Sequence, residues 1–137
     1  MISFKEYISE SNDVSIGINI NDKIQDFTGQ ILRGEKTIET RNRNSLKSFI
    51  GKKVGIIRTG KGKAYLVGYA TIGDPVIYKT EEEFRKDYNK HLVQKDSKFD
   101  IPKGGIKYGY PLFDVIALNE PKIITDGGRN RVYRKIE

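Results

Sequence analysis

Four aliphatic residues, Val14, Ile16, Ile18 and Ile20, stand in strict alternation. A period of two puts them on one face of a strand, so this segment reads as half-buried, with that face against a core. The pattern then changes. Ile24, Phe27, Ile31 and Leu32 recur at helical spacing, Asn21 and Asp22 are suited to cap that helix, and Gly34 suits its end. Residues 53–58 and 64–72 read as two strands joined across Thr59-Gly60-Lys61-Gly62-Lys63, a hairpin with a basic, flexible tip. Thr80 and Glu83 match a capping box that opens a helix through about Asn89. Residues 94–107 are polar and contain glycine, which reads as a loop. Residues 112–118 and 122–125 read as two further strands. Short strands with an early helix and a late inserted one predict an α+β fold, a small β-barrel with flanking helices.

The chain has 137 residues, enough for one domain of ordinary size. It contains no cysteine, which removes disulfides and thiolate metal sites, and one histidine, His91, which removes a multi-histidine metal site. No run approaches the roughly 20 apolar residues of a membrane helix. The N-terminus lacks the basic start and apolar centre of a secretory signal. The net charge of +7 and a pI near 9.5 favour polyanionic partners, nucleic acid first among them. The first thirteen residues depart from that balance, with Lys5 set against Glu6, Glu10 and Asp13. Phe4, Tyr7 and Ile8 have helical spacing before Ser11, Asn12 and Asp13 break it, so residues 1–13 read as a short amphipathic helix and linker. Residues 14–125 form the domain. Residues 126–137, with Arg129, Arg131, Arg134 and Lys135, read as a basic tail, either an arm for polyanions or a solvated end.

Three segments carry candidate chemistry. In ILRGEKTIETR, residues 31–41, strand spacing puts Thr37, Glu39 and Arg41 on one face and Ile38 and Thr40 on the other. A carboxylate there can accept from the exocyclic amino group of a base, and an arginine can hold a phosphate or a carbonyl. Lys36 becomes a base or nucleophile only if burial or a nearby cation lowers its pKa. In RTGKGKA, residues 58–64, the glycines admit a phosphate to the backbone while Arg58, Lys61 and Lys63 supply charge. The same residues also make an ordinary hairpin turn. In KYGYPL, residues 107–112, Tyr108 and Tyr110 are suited either to stacking bases or to packing. His91 reads as a cap at the end of the late helix, with a role in the site as the alternative.

Gly34, Lys36, Glu39 and Arg41 resemble the G-x-K-x-x-E-x-R signature of the ASCH domains, a branch of the PUA-like β-barrels. The resemblance continues through VGIIRTGKGKAYLVGYATIGDP and KYGYPLFDV. It implies a PUA-like (ASCH) barrel that recognises RNA, in preference to DNA, or a modified nucleotide. No metal and no cofactor are expected. One bacterial ASCH branch removes the acyl group from N(4)-acetylcytidine with a lysine where Lys36 stands, so the resemblance also admits an amidohydrolase, or a nuclease, built on Lys36 and Glu39. That branch has a threonine where this chain has Glu39, and its catalytic glutamate lies in a helical insert comparable to residues 81–91.

MISFKEYISE resembles the capsid-targeting leaders of internal head proteins in T-even-type phages. Such leaders are removed after a small-apolar/x/Glu triplet, matched here by Ile8-Ser9-Glu10. That resemblance implies a protein packed in the capsid and delivered to the host cytoplasm, with a host defence protein as a partner. Without it the expectation is a cytoplasmic protein.

Overall fold

The computed structural model describes residues 14–127 and 132–136. One seven-stranded sheet organises them. Its strands are β1 (Ile16–Asn21), β2 (Ile38–Arg41), β3 (Lys53–Thr59), β4 (Tyr65–Ile72), β5 (Val76–Tyr78), β6 (Lys107–Ile123) and β7 (Tyr133–Lys135). The order is β2-β6-β4-β3-β1-β7, with β5 also paired to β6. β1 and β3 run parallel, and every other pair is antiparallel. The helices are short: α1 (Phe27–Leu32), α2 (Glu81–Lys86) and α3 (Tyr88–His91). The expected α+β architecture is thus a curled half-barrel with flanking helices. Among the described residues no helix is long and apolar enough to cross a membrane.

β1 is buried on both faces rather than one. Ile18 and Ile20 enter the main core with Ile31, Leu46, Ile56, Phe84 and Tyr110. Gly17, on the opposite face, pairs with Gly55 of β3. A Cβ at Gly17 would meet the Ile57 and Ile136 side chains at 2.7–2.9 Å. The two glycines therefore make room for a second core, in which Ile57, Ala64, Leu66, Ile124 and Ile136 pack.

The early helix begins later than its apolar spacing suggests. Asp26 is its N-cap, accepting from the Gly29 amide, while Ile24 stays half exposed before it. Asp22 instead accepts from both the amide and the hydroxyl of Thr28, and Asn21 accepts from the Lys23 amide. Gly34 ends the segment with φ at +78°. The late helix divides into α2 and α3. Thr80 caps it as expected, accepting from the Glu83 amide at 3.1 Å, and the Glu83 carboxylate turns back to the Lys79 amide.

The largest departure concerns β6. Residues 112–118 and 122–125, expected as separate strands, belong mainly to one strand of 17 residues that begins at Lys107. Its first part pairs with β2 and β5, and the remainder pairs with β4. Two register shifts against β4 and a positive φ at Asp114 bend it, which curls the sheet. Residues 119–121, which separate the two expected strands, include Pro121, whose nitrogen cannot donate. They lie in the irregular stretch between the Gly68–Ala117 and Leu66–Lys122 pairs, where no regular ladder bond is needed.

The expected tail is also corrected in part. β7 pairs with β1, Ile18 opposite Tyr133, and Ile136 is buried in the second core. The phage-leader expectation and the readings of Arg129 and Arg131 fall outside the described residues.

Candidate functional site

β1 and β2 are neighbours in space without pairing to each other, and a cavity of about 570 Å³ opens at that seam. β1 contributes Asn19, Ile20 and Asn21 to its wall, and β2 with the following residue contributes Glu39, Thr40, Arg41 and Asn42. Phe27 comes from α1, Phe99 from the long loop, Lys107 from the start of β6 and Arg134 from β7. Phe27 and Phe99 meet edge to face, with ring centroids 5.9 Å apart.

Gly34 ends α1 and turns the chain so that Lys36 runs inward. Only 2% of Lys36 is exposed. Its Nζ donates to the His91 carbonyl at 2.5 Å, lies 4.8 Å from the centre of the Phe27 ring and stands 3.8 Å from Glu39 Oε1. Burial drives its pKa down to about 8; Glu39 opposes that shift, while Arg41 and Lys107 add to it. The other Glu39 oxygen binds Arg41 Nη2 at 2.9 Å, and the same nitrogen donates across the seam to the Asn19 carbonyl at 2.8 Å. Lys107 donates to Asn42 Oδ1 at 2.7 Å, and burial likewise lowers its pKa to about 8. Among the described residues, four cationic side chains thus share one cavity with one carboxylate.

The structure brings together three of the residues singled out in the sequence: Lys36, Glu39 and Arg41. Ile38 enters the interior as expected, but Thr40 also reaches the cavity. Thr37 is exposed and outside the lining; its amide donates to the Lys90 carbonyl. Arg58 lies over the Tyr65 ring at 5.3 Å, and Lys61 and Lys63 are exposed on the hairpin tip. None of these three lines the cavity. Tyr108 is half-buried, opposite Arg41 on β2 and Ile77 on β5. Tyr110 is fully buried, with its hydroxyl donating to Asn44 and accepting from the Leu46 amide, so its ring has no face open to a base.

His91 does more than cap a helix. Its ring stacks on Phe84 at 4.0 Å. Nδ1 accepts from the Val93 amide at 2.9 Å, which leaves Nε2–H to donate to the Phe84 carbonyl at 2.7 Å. This is the neutral form, and burial lowers the ring's pKa accordingly.

Sequence reading missed Asn19, Asn42, Phe27, Phe99, Lys107 and Arg134 as lining residues. Asn19 left one signal, an amide side chain in the middle of an otherwise small or apolar strand.

The curled half-barrel is a PUA-like fold. The chain matches no family model and no curated protein, but its fold matches solved ASCH structures. The ASCH protein of Zymomonas mobilis superposes with a TM-score of 0.61 and 16% identity, covering 78% of this chain and 71% of that chain. Two single-substitution variants of the Zymomonas mobilis protein give TM-scores of 0.62 and 0.67. Their identities are 18% and 14%, over 77% and 89% of this chain and 73% and 87% of theirs. The chain has the ASCH fold.

Proposed function

We propose that the seam pocket binds a nucleotide unit, either as a modified nucleotide or within a nucleic acid, with RNA favoured. The observation that carries this reading is the pocket itself. Lys36, Arg41, Lys107 and Arg134 surround a cavity of about 570 Å³ that also holds Glu39 and is walled by Phe27 and Phe99. Apolar rings suit a base, a carboxylate suits its amino edge, and the cations suit phosphate. The basic chain as a whole favours association with a polyanion. RNA is preferred to DNA on the resemblance to ASCH and PUA-like domains. The test is equilibrium binding of RNA and DNA strands to the full chain across a salt series, beside Arg41→Ala. A steep fall of affinity with salt, and weaker binding by the variant, support the reading. Affinity that ignores both salt and Arg41 contradicts it.

A second reading, amide hydrolysis on an N(4)-acylated cytosine, is favoured by the closeness of Lys36 and Glu39. In it Glu39 takes a proton from water as the water oxygen bonds to the acyl carbon. The C–N bond then breaks, Lys36 protonates the departing amine, and the acyl group leaves as a carboxylic acid. Glu81, Glu82 and Glu83 do not serve here: all three are exposed and none lines the pocket. Mass analysis of acylated cytidines incubated with wild-type and Lys36→Ala protein decides it. A Lys36-dependent mass loss supports hydrolysis, and an unchanged pool removes it. RNA strands shortened on incubation with the wild-type protein indicate a nuclease.

The phage-leader resemblance supports delivery into a host cell and a host protein as a further partner. Protein recovered from phage particles should begin at Ser11; recovery of the intact Met1 end removes that reading.

A further inference from the structure

Two guanidinium groups converge on one buried asparagine at the pocket wall. Arg41 Nη2 donates to the Asn19 backbone carbonyl at 2.8 Å, and Arg134 Nε donates to Asn19 Oδ1 at 3.1 Å. Their strands, β2 and β7, stand at the two ends of the sheet order, so curling brings like charges together at the seam. That approach is unfavourable unless negative charge offsets it. Glu39 is the only carboxylate among the described lining residues, and it already contacts Arg41 and Lys36. Near Arg134, Asp126 offers its backbone carbonyl at 3.1 Å, while the Asp126 carboxylate receives the Lys135 amide at 2.9 Å. Arg41 Nε–H is buried and has no hydrogen-bond partner among the described residues, a cost that an acceptor in the cavity would remove.

We propose that Arg41 and Arg134, both held on Asn19, form a phosphate subsite, and that the pocket therefore takes a phosphorylated nucleotide unit in preference to a free nucleoside. This rests on the nucleotide reading above and assigns its parts. Glu39 is left to face the base, and the arginines grip the phosphate, whose oxygens match the paired donors of a guanidinium. Lys107, in the same cavity, adds a third positive charge. The C-terminal strand thereby completes the site by supplying Arg134.

The experiment follows the arginine Nε–H resonances of the full chain by NMR. Inorganic phosphate is titrated first, then cytidine, cytidine 5′-monophosphate and a cytidine–adenosine dinucleotide. Phosphate alone is expected to move the Arg41 and Arg134 signals, and the monophosphate to bind about 10-fold tighter than cytidine. Arg134→Gln should collapse that preference, and Arg134→Lys should keep part of it. Comparing the monophosphate with the dinucleotide tells a free nucleotide from a strand phosphodiester. Phosphate that moves neither arginine signal overturns the proposal, as does equal affinity for cytidine and its monophosphate. If Arg134→Gln does not fold, the wild-type titration still decides. Phosphate binding without cytidine binding keeps the subsite and removes the base reading. Cytidine binding with no phosphate effect does the reverse.

Discussion

Lys36 places its ammonium 2.5 Å from the carbonyl oxygen of His91, and this bond ties the signature segment to the end of the late helical pair. The carbonyl is aimed by its surroundings. Leu92 adopts a left-handed conformation with φ at 58°, and the His91 ring is bonded on both sides, to the Phe84 carbonyl and the Val93 amide. A buried cation needs such a partner, because desolvation otherwise removes its charge.

His91→Ala should therefore destabilise the fold by about 3 kcal/mol, since it leaves two buried backbone groups unmet and opens a gap beside Phe84. Urea unfolding measures this. The wild type carries a pH signature as well. The folded His91 pKa lies below its ordinary value of 6.5, so below pH 6.5 the unfolded chain binds more protons. Stability should fall as pH drops below that point, and the variant should lose this part of the decline.

Lys36 and Lys107 act in the same direction in an alkaline window. Both sit at about 8 when folded, against an ordinary 10.5. Between those values the unfolded chain holds more protons, so the two lysines make stability rise with pH from about 8 toward 10.5. Tyr78 works against this above pH 10, because burial and the Asp87 carboxylate raise its pKa. Urea midpoints should therefore climb between pH 8 and 10. Affinity for an anionic ligand should move the other way, weakening as the two ammonium groups lose charge. A flat stability profile over that range contradicts the burial of these charges.

Ile136→Ala tests whether the C-terminal segment is part of the fold. Ile136 is buried in the second core, where Ile57 also packs, so the loss should be about 2–4 kcal/mol in urea unfolding. A change near zero would return this segment to the status of a dispensable tail.

Gly68→Ala should be costly for a different reason. A Cβ there would stand 2.4 Å from the Ile116 carbonyl oxygen and 2.6 Å from Leu32, between β4, β6 and α1. Backbone cannot yield as a side-chain end does, so destabilisation of about 1–3 kcal/mol is expected from thermal or urea unfolding. A neutral substitution would mean that β4 and β6 are less tightly apposed at this point.

Local patterns were legible in the sequence where one segment decides its own structure. The β3–β4 hairpin, the Thr80 cap and the Gly34 turn follow from residues within a few positions of one another. Glu39 and Arg41 were legible together because alternation on one short strand sets their spacing, and Lys36 joined them through the signature that Gly34, Lys36, Glu39 and Arg41 resemble. Contributions from distant segments were not. β6 continues past Pro121 because β4 supplies partners on both sides of an irregular stretch, which no local propensity records. Arg134 looked like one more tail cation because its role depends on β7 pairing with β1. Tyr110 looked available for stacking until Asn44 and Leu46 closed around its hydroxyl. The pocket lies where two strands meet without pairing, so its wall is a property of the curled sheet.

The most direct measurement is a crystal structure of the full chain with the nucleotide that binds it most tightly. Ligand density is expected in the seam pocket, with the base against the Phe27–Phe99 pair near Glu39 and a phosphate at Arg41 and Arg134. Density confined to the 59–63 hairpin tip or to another surface, with the seam pocket empty, would contradict it.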